Sequence, residues 1–397
     1  TRLGLRRDTQ GAFWLSFGEE LNTAGDGAGE EGAGFGQIMA QVDDLLAREA
    51  FSFFERLDIF DVTLRYEDER ARRNWTVDGG RLELLHTLGE LRARADFALL
   101  TGGASAAGVE LSFERIAGAD QAFVGLNLTD FPARDLATQA AALSWLEALR
   151  APISGALRLS MNSMGALGPL SATLQIAEGA LQPNDAATPI PFRSARTYLT
   201  YDPGTNMVTF DEINLQSEWV TLRAEGKLGL VMDEGGWPEA FIGQLRLAGI
   251  SANPSELLPE PVTFESGFAD LRLSLDPFKV ELGQLGLKDG ETAYHIEGSF
   301  EALEKGWSYQ VQAAAEALDL AQVLAVWPEK AGEKTRKWVS ENVLEGHINE
   351  AQFALRAGPD VKAEPLVSFG FERVKLRFLP DMPLIENMSG QASLLRK

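Results

Sequence analysis

The feature that most constrains this chain is a two-residue alternation of apolar and polar side chains that recurs along much of its length. It is clearest at Ile153/Gly155/Leu157/Leu159/Met161, Leu170/Ala172/Leu174/Ile176, Val220/Leu222/Ala224/Gly226/Leu228/Leu230, Ala269/Leu271/Leu273/Leu275 and Phe278/Val280/Leu282. Successive side chains of an extended strand point to opposite faces, so each run builds a strand with one apolar side and one polar side. Asp202-Pro203-Gly204, Asp276-Pro277 and Asp289-Gly290 bound these runs and favour tight reversals between antiparallel neighbours. From residue 151 onward the pattern predicts a strand meander. Residues 60–69, 74–83 and 109–113 read as further strands in the N-terminal part.

Helical spacing is confined to three places. Ile38, Val42, Leu45 and Leu46 form one stripe over residues 36–50, and Leu136, Ala140, Leu143 and Leu146 or Leu149 form another over residues 135–149. Over residues 331–344, Val339 and Val343 stack four apart, with Glu333, Lys337 and Glu341 set to pair along the outer side. Asp135-Leu-Ala and Asp319-Leu-Ala each lead toward a Trp-bearing helix and then a strand, which makes a loose repeat of an inserted helix along a sheet. The organisation expected is an N-terminal portion, 1–150, with a Gly-rich loop at 22–36, and a continuous portion, 151–397. No Pro- or Ser-rich linker separates them, so they are read as one elongated unit.

Composition removes several function classes. With 36 basic against 58 acidic residues the net charge is −22, which repels phosphate backbones and anionic lipid surfaces, so no nucleic-acid partner is expected. The absence of cysteine excludes disulfides and thiolate chemistry. No stretch approaches the roughly 20 apolar residues of a membrane-spanning helix, and residues 1–7 lack the apolar core of a signal peptide. The chain begins in mid-pattern without a methionine, as a piece of a longer protein would.

The remaining candidate chemistry is weak. Gly27-Ala-Gly-Glu-Glu-Gly32 matches a dinucleotide pattern, but its first glycine lies ten residues past the preceding apolar run and two glutamates would face the pyrophosphate. His86, His295 and His347 are scattered without partners at metal spacing, and His295 is expected on the strand side opposite Tyr294 and Ile296. Acidic pairs such as Asp43-Asp44 and Asp233-Glu234 are numerous enough to arise by composition, and no GxSxG elbow occurs. Neither a catalytic group, a metal nor a cofactor is expected.

One stretch carries more information than its chemistry. Residues 327–346, WPEKAGEKTRKWVSENVLEG, contain Trp327, Pro328, Thr335, Arg336, Trp338, Val339, Asn342 and Gly346 in an order that resembles the signature of the AsmA-like envelope proteins, specifically the large YhdP-type members. Segments 151–168, 190–203, 215–230, 245–254, 269–290 and 378–394 agree with it in the same order, so the resemblance covers about residues 50–397. It implies a mostly β fold: a long, strongly curved antiparallel sheet with an open apolar groove, related to the TamB-like β-groove proteins, and a few short inserted helices. It also implies a periplasmic location in a Gram-negative bacterium, an inner-membrane anchor outside this chain, envelope partner proteins, and phospholipid transfer toward the outer membrane.

The residues are compatible with that implication, because a smooth apolar trough shields acyl chains without any catalytic group. Leu157, Leu159, Leu174, Ile176, Val220, Leu222, Leu228, Leu271, Leu273, Val280 and Leu282 are the candidate groove-lining positions. Which side of each strand faces inward stays open, since a one-residue slip reverses it. Trp327, Pro328, Thr335, Arg336, Trp338, Asn342 and Gly346 are expected to be structural, with Arg336 paired locally, Trp338 anchoring a helix on the sheet and Gly346 ending that helix. The rival expectation is an assembly scaffold whose helices fill the inner face; a β-rich enzyme with converging carboxylates is a third.

Overall fold

A computed structural model describes residues 2–7, 13–17, 55–69, 73–87, 90–99, 106–116, 119, 121–162, 167–379 and 381–395. The expected helix at 36–50 and the Gly-rich loop with its Gly27–Gly32 pattern lie outside the described residues. The chain forms two compact units, one of residues 1–177 with 198–206 and one of residues 178–197 with 207–397.

In the first unit β1 (Arg2–Arg7) pairs antiparallel with β2 (Phe13–Phe17) and parallel with β3 (Arg56–Asp68). From β3 an antiparallel meander continues through β4 (Arg73–Thr87), β5 (Glu90–Leu99), β6 (Ala107–Ile116) and β7 (Gln121–Pro132). The short β8 (Leu149–Arg150) follows, and β9 (Pro152–Asn162) then pairs with β7 and with β10 (Leu167–Ile176).

The second unit begins with a small antiparallel pair, β11 (Gly179–Leu181) and β12 (Ile190–Phe192), while β13 (Ser194–Asp202) has residues in both units. Its meander runs through β14 (Met207–Gln216), β15 (Val220–Met232), β16 (Pro238–Ala252), β17 (Val262–Leu275), β18 (Phe278–Asp289), β19 (Thr292–Leu303) and β20 (Gly306–Ala315). The short β21 (Leu318–Asp319) lies on β22 (Val343–Gly358), which pairs with β20 and with β23 (Val361–Leu376); β24 (Ile385–Leu395) closes the series. The chain is thus mostly β and built on long antiparallel sheet.

The registers decide which way each side chain faces. Across the second unit they place Phe210 beside Gly226, Gly226 beside Leu245, Leu245 beside Ala269, Ala269 beside Leu285 and Leu285 beside Ile296. Ile296 lies beside Ala313, Ala313 beside Phe353 and Phe353 beside Val367. All share one side, and Thr209, Lys227, Arg246, Asp270, Gln284, His295, Glu297, Gln312 and Gln352 share the other. The first unit repeats this with Val62, Leu82, Ala95, Leu111, Leu126, Leu157 and Ala172 against Asp58, Glu83, Arg94, Glu110, Asn127, Arg158 and Ser171.

Alternation in sequence does not keep this sidedness by itself. At Ile59 to Val62, Leu128 to Phe131, Leu247 to Ile250, Phe371 to Val374 and Ile385 to Met388 the apolar positions jump by three. Each jump contains one residue in the left-handed region: Asp61 (φ 51), Asp130 (φ 53), Gly249 (φ 57), Arg373 (φ 53) and Asn387 (φ 55). Shifts of register accompany the jumps at Ile59/Val62, Leu128/Phe131 and Phe371/Val374. An inserted bulge residue rotates the strand by one position and bends it, so the bulge restores the apolar phase that the sequence has lost.

The sheet of the second unit curls toward its apolar side. Trp307, on that side of β20, donates from Nε1 to the Thr188 carbonyl (2.7 Å), while Ser217 after β14 donates from Oγ to the Pro191 carbonyl (2.9 Å). In a flat sheet, six strand spacings and about eleven residues of strand length would set Trp307 and Ser217 about 45 Å apart. Three residues of chain, two side chains and two hydrogen bonds reach under about 30 Å. Curvature is also visible locally: Gly226 faces Leu245 and Gly243 faces Leu228, and a Cβ on either glycine would fall inside contact distance of the adjacent strand's carbonyl.

The segment expected as one helix over 135–149 is instead α1 (Ala133–Ala137) followed by a 3-10 helix over Ala141–Ala148, because Ala140 is extended (φ −147, ψ 142). The other insert contains α2 (Leu320–Val326) and α3 (Glu333–Asn342). Gly346 does not end the helix; it lies within β22, where a Cβ would meet Val374 Cγ2 at 2.9 Å.

Replacing Gly243 by Val should therefore destabilise the chain by about 3 kcal/mol or more, through overpacking against backbone. Gly229→Ala, whose nearest new neighbour is 3.8 Å away, should change stability by less than about 0.5 kcal/mol. Denaturant melts of both variants check the contrast.

Candidate functional site

All eleven candidate groove positions lie on the apolar side of their strands. Leu157, Leu159, Leu174 and Ile176 belong to the first unit, and Val220, Leu222, Leu228, Leu271, Leu273, Val280 and Leu282 to the second. Their surroundings differ sharply.

In the first unit the apolar side is covered in part, with Leu82 and Leu126 half-buried and Leu111 38% exposed. The segment after β7 lays Leu136, Leu143 and Leu146 on it, each at most 1% exposed, and Ile153, Leu174 and Val62 are equally buried. Its far end is tied to β3, where Gln139 Nε2 donates to Asp68 Oδ2 (3.2 Å) and the Tyr66 hydroxyl donates to the same carboxylate (3.1 Å). Tyr66 stacks on Trp75 at 5.2 Å. Asp68, 1% exposed, thus acts as a buried acceptor that closes the apolar side at this end.

In the second unit coverage is partial. On β14–β16, Val208, Phe210, Leu228 and Phe241 are buried, at 0–6% exposure. From β17 to β23 the same side holds Leu271, Leu273, Val280, Leu282, Leu285, Ile296, Tyr309, Val311, Leu355, Val367 and Phe369 half-buried, with Phe300 and Phe353 exposed at 38% and 37%. Apart from Asp289 at the end of β18, the charged side chains of β18 keep to the other side, where Lys279 pairs with Glu281 at 2.6 Å. The result is a largely apolar strip spanning six strands.

Aromatic rings mark the strip. Phe300 stacks on Tyr309 at 6.4 Å and Phe369 lies 6.3 Å from Phe371. At one end Tyr294 meets the edge of Phe264 at 5.3 Å, and its phenol is pushed above its ordinary pKa, first by burial and then by the carboxylates of Asp289 and Asp319. Tyr201, in the first unit, is raised by burial and then by Asp202.

The motif residues form a brace rather than a reactive centre. Asp319 caps α2 reciprocally: Gln322 N donates to Asp319 Oδ1 (2.8 Å) and Asp319 N donates to Gln322 Oε1 (3.0 Å). Arg336 on α3 donates to the carbonyls of Leu324 (3.1 Å) and Trp327 (3.2 Å), satisfying groups at the end of α2. Trp327 Nε1 donates to Ala331 O (2.6 Å) and Asn342 Nδ2 to Trp338 O (2.9 Å). Trp338 does not anchor the helix on the sheet face; it is 38% exposed and meets the edge of Phe378, beyond β23, at 6.3 Å. Neither α2 nor α3 contains a buried residue, so this insert leaves the strip open.

His295 faces Gly286 and Ala314 on the polar side, opposite to Tyr294 and Ile296. Among the described residues no group of three or more His, Asp or Glu side chains could hold a metal ion, and no helix is long and apolar enough to cross a membrane. Comparison of the chain with protein-family models, curated proteins and solved structures finds no match.

Two outcomes follow. Arg336→Met should lower the local stability of α2 and α3 by about 1.5–3 kcal/mol, the worth of its charge-assisted bonds, read as faster amide exchange there with the strip unaffected. Raised folded pKa values for Tyr294 and Tyr201 mean stability that is full below the unfolded value near 10 and falls as pH rises through the folded value. Spectrophotometric titration of the five tyrosines should show a late-ionising fraction that shrinks in Tyr294→Phe.

Proposed function

We propose that this chain is a segment of a non-enzymatic lipid-transfer protein of the Gram-negative envelope, of the AsmA-like, YhdP-type kind, that shields phospholipid acyl chains on its apolar strip. In this reading the full-length protein crosses the periplasm, is anchored in the inner membrane through parts outside this chain, and supports phospholipid movement between the two membranes and outer-membrane integrity. The observation that carries it is the strip itself: six hydrogen-bonded strands present one largely apolar, half-open side on a sheet that curls toward that side.

Magnitudes favour hydrocarbon as the occupant. Five strand spacings give a strip about 24 Å long, longer than one leaflet's share, about 15 Å, of a bilayer's hydrocarbon core. Each methylene taken from water contributes about 0.8 kcal/mol, so a chain of about 16 carbons gains on the order of 10 kcal/mol without a polar contact. In this reading the bent, bulged strands line the trough in which acyl chains lie, and the acidic outer side keeps the rest of the surface in water.

A scaffold for outer-membrane biogenesis is the second reading, and one observation favours it: in the first unit the helical insert buries Leu136, Leu143 and Leu146 with Val62, Ile153 and Leu174, as part of a closed core would. The two readings separate on lipid content.

Native mass spectrometry of the purified chain should detect bound phospholipid, and the chain should take up a fluorescent phospholipid from vesicles. Leu282→Asp with Val311→Asp, which puts charge on the strip, should reduce uptake about tenfold or more. A wild-type chain free of lipid in both measurements would overturn the proposal and leave the scaffold reading.

A further inference from the structure

We infer that the loop joining β23 to β24, with Trp338 of α3 beside it, is a lip that docks on the surface of a zwitterionic phospholipid bilayer, at the place where acyl chains enter the strip. The entry of chains rests on the reading above that the strip shields them; the docking does not.

The two rims of the second unit's sheet differ. At one rim the strands reverse at residues 233–237, 276–277, 304–305 and 359–360, short turns that carry five carboxylates and one lysine. Leu303 and Val361 are exposed singly among them, as on any soluble surface. At the other rim the connection from Leu376 to Ile385 exposes Phe378, Leu379, Met382 and Leu384, and Trp338 lies edge-on to Phe378 at 6.3 Å. With Ile385 these six side chains are 37–54% exposed. Large apolar side chains gathered in one place mark a surface that meets protein or lipid.

The loop is held in shape and joined to the strip. Arg377 N donates to Asn342 O at the end of α3 (2.8 Å), and Met382 N donates to Leu379 O (3.2 Å). Leu376 lies between Val343 and Ile385 in the ladder. Phe371, Val374 and Leu376 carry the apolar side of β23 to the base of the loop, so the strip leads directly to the lip.

Charge selects the occupant. Residues 333–345 and 372–386, which hold α3 and the loop, carry six basic and six acidic side chains in a chain of net charge −22. A second copy would bring the same −22, and like charge of that size opposes the pairing of copies. A zwitterionic bilayer has no net charge to oppose, and the neutral lip adds none. Arg373, Lys375 and Arg377 precede the exposed residues with no acid between them. Arg373 pairs with Glu372 (3.4 Å) and Lys375 with Glu386 (3.0 Å), while Arg377 forms no ion pair among the described residues. A guanidinium next to Phe378 in sequence suits a headgroup phosphate. The aromatic rings suit the headgroup level and the Leu and Met side chains the hydrocarbon beneath it. No bond is made or broken: the headgroup stays at the leaflet while its chains pass along Leu376 and Phe371 onto the strip.

The test uses the 397-residue chain and vesicles of phosphatidylcholine. The wild type should float with the vesicles in a density gradient. Phe378→Asp combined with Met382→Asp should weaken vesicle binding about tenfold or more with little change in melting, because both side chains are exposed. Since the chain lacks cysteine, Leu379→Cys and Lys305→Cys place an environment-sensitive fluorophore on one rim or the other, a readout that does not need the double variant to fold. Vesicles should shift the emission of the first to the blue and leave the second unchanged. A wild type that stays out of the vesicle fraction would overturn the docking, as would equal shifts at the two positions or flotation unchanged in the folded double variant. A wild-type dimer that the double variant converts to monomer would make the patch an interface between copies and overturn it as well. The two proposals fail separately: a chain that docks but holds no phospholipid in native mass spectrometry keeps the lip and loses lipid transfer, and one that holds phospholipid but does not dock loses the lip alone.

Discussion

The structure depends on one constraint: every strand of a long meander must keep its apolar residues on the same side while pairing with both neighbours. A single slip would send a whole strand's apolar set into water. This chain meets the constraint actively, with left-handed residues at Asp61, Asp130, Gly249, Arg373 and Asn387 that bring the phase back at five of the places where the apolar positions jump by three. The same bulges bend the strands, so correction of register and curvature of the sheet share one cause. Sidedness, curl and the half-open strip follow together.

What covers the apolar side differs along the chain, and that difference separates structure from function. In the first unit the insert after β7 buries Leu136, Leu143 and Leu146 and is closed off by the Asp68–Gln139–Tyr66 cluster, as an ordinary core would be. In the second unit the segment 179–192 bridges from β14 to Trp307 on β20, and much of the apolar side from β17 to β23 stays half-buried. The insert with the tryptophans and basic residues stands aside: Arg336 joins α3 to the end of α2, and neither helix buries a side chain. Its chemistry is used within the insert itself.

Much of this was legible in the sequence. The strands from Ile153 onward, the helix around Glu333 and the side taken by His295 follow from alternation and spacing, because each is a local property. The side of each candidate groove residue was not legible, since it depends on partner registers that a single strand does not encode. Three-residue jumps such as Leu128-Thr-Asp-Phe131 carry the missing signal: two apolar residues flank a pair whose second member tolerates the left-handed conformation. The fastening of the segment 179–192 was hidden for another reason. Asn184 acts through carbonyls more than a hundred residues away, and Pro191 and Thr188 take part only through their backbone oxygens, which no residue pattern marks.

The meander pairs almost every strand with the one before it in sequence. Such an arrangement needs few long loops to close before its contacts form, so pairing can advance strand by strand as the polypeptide is synthesised. It also lets the structure grow as repeat proteins do, since a new hairpin has only to match the edge it joins. Length then becomes an independent variable of such a fold, open to change by whole hairpins without rebuilding what already stands.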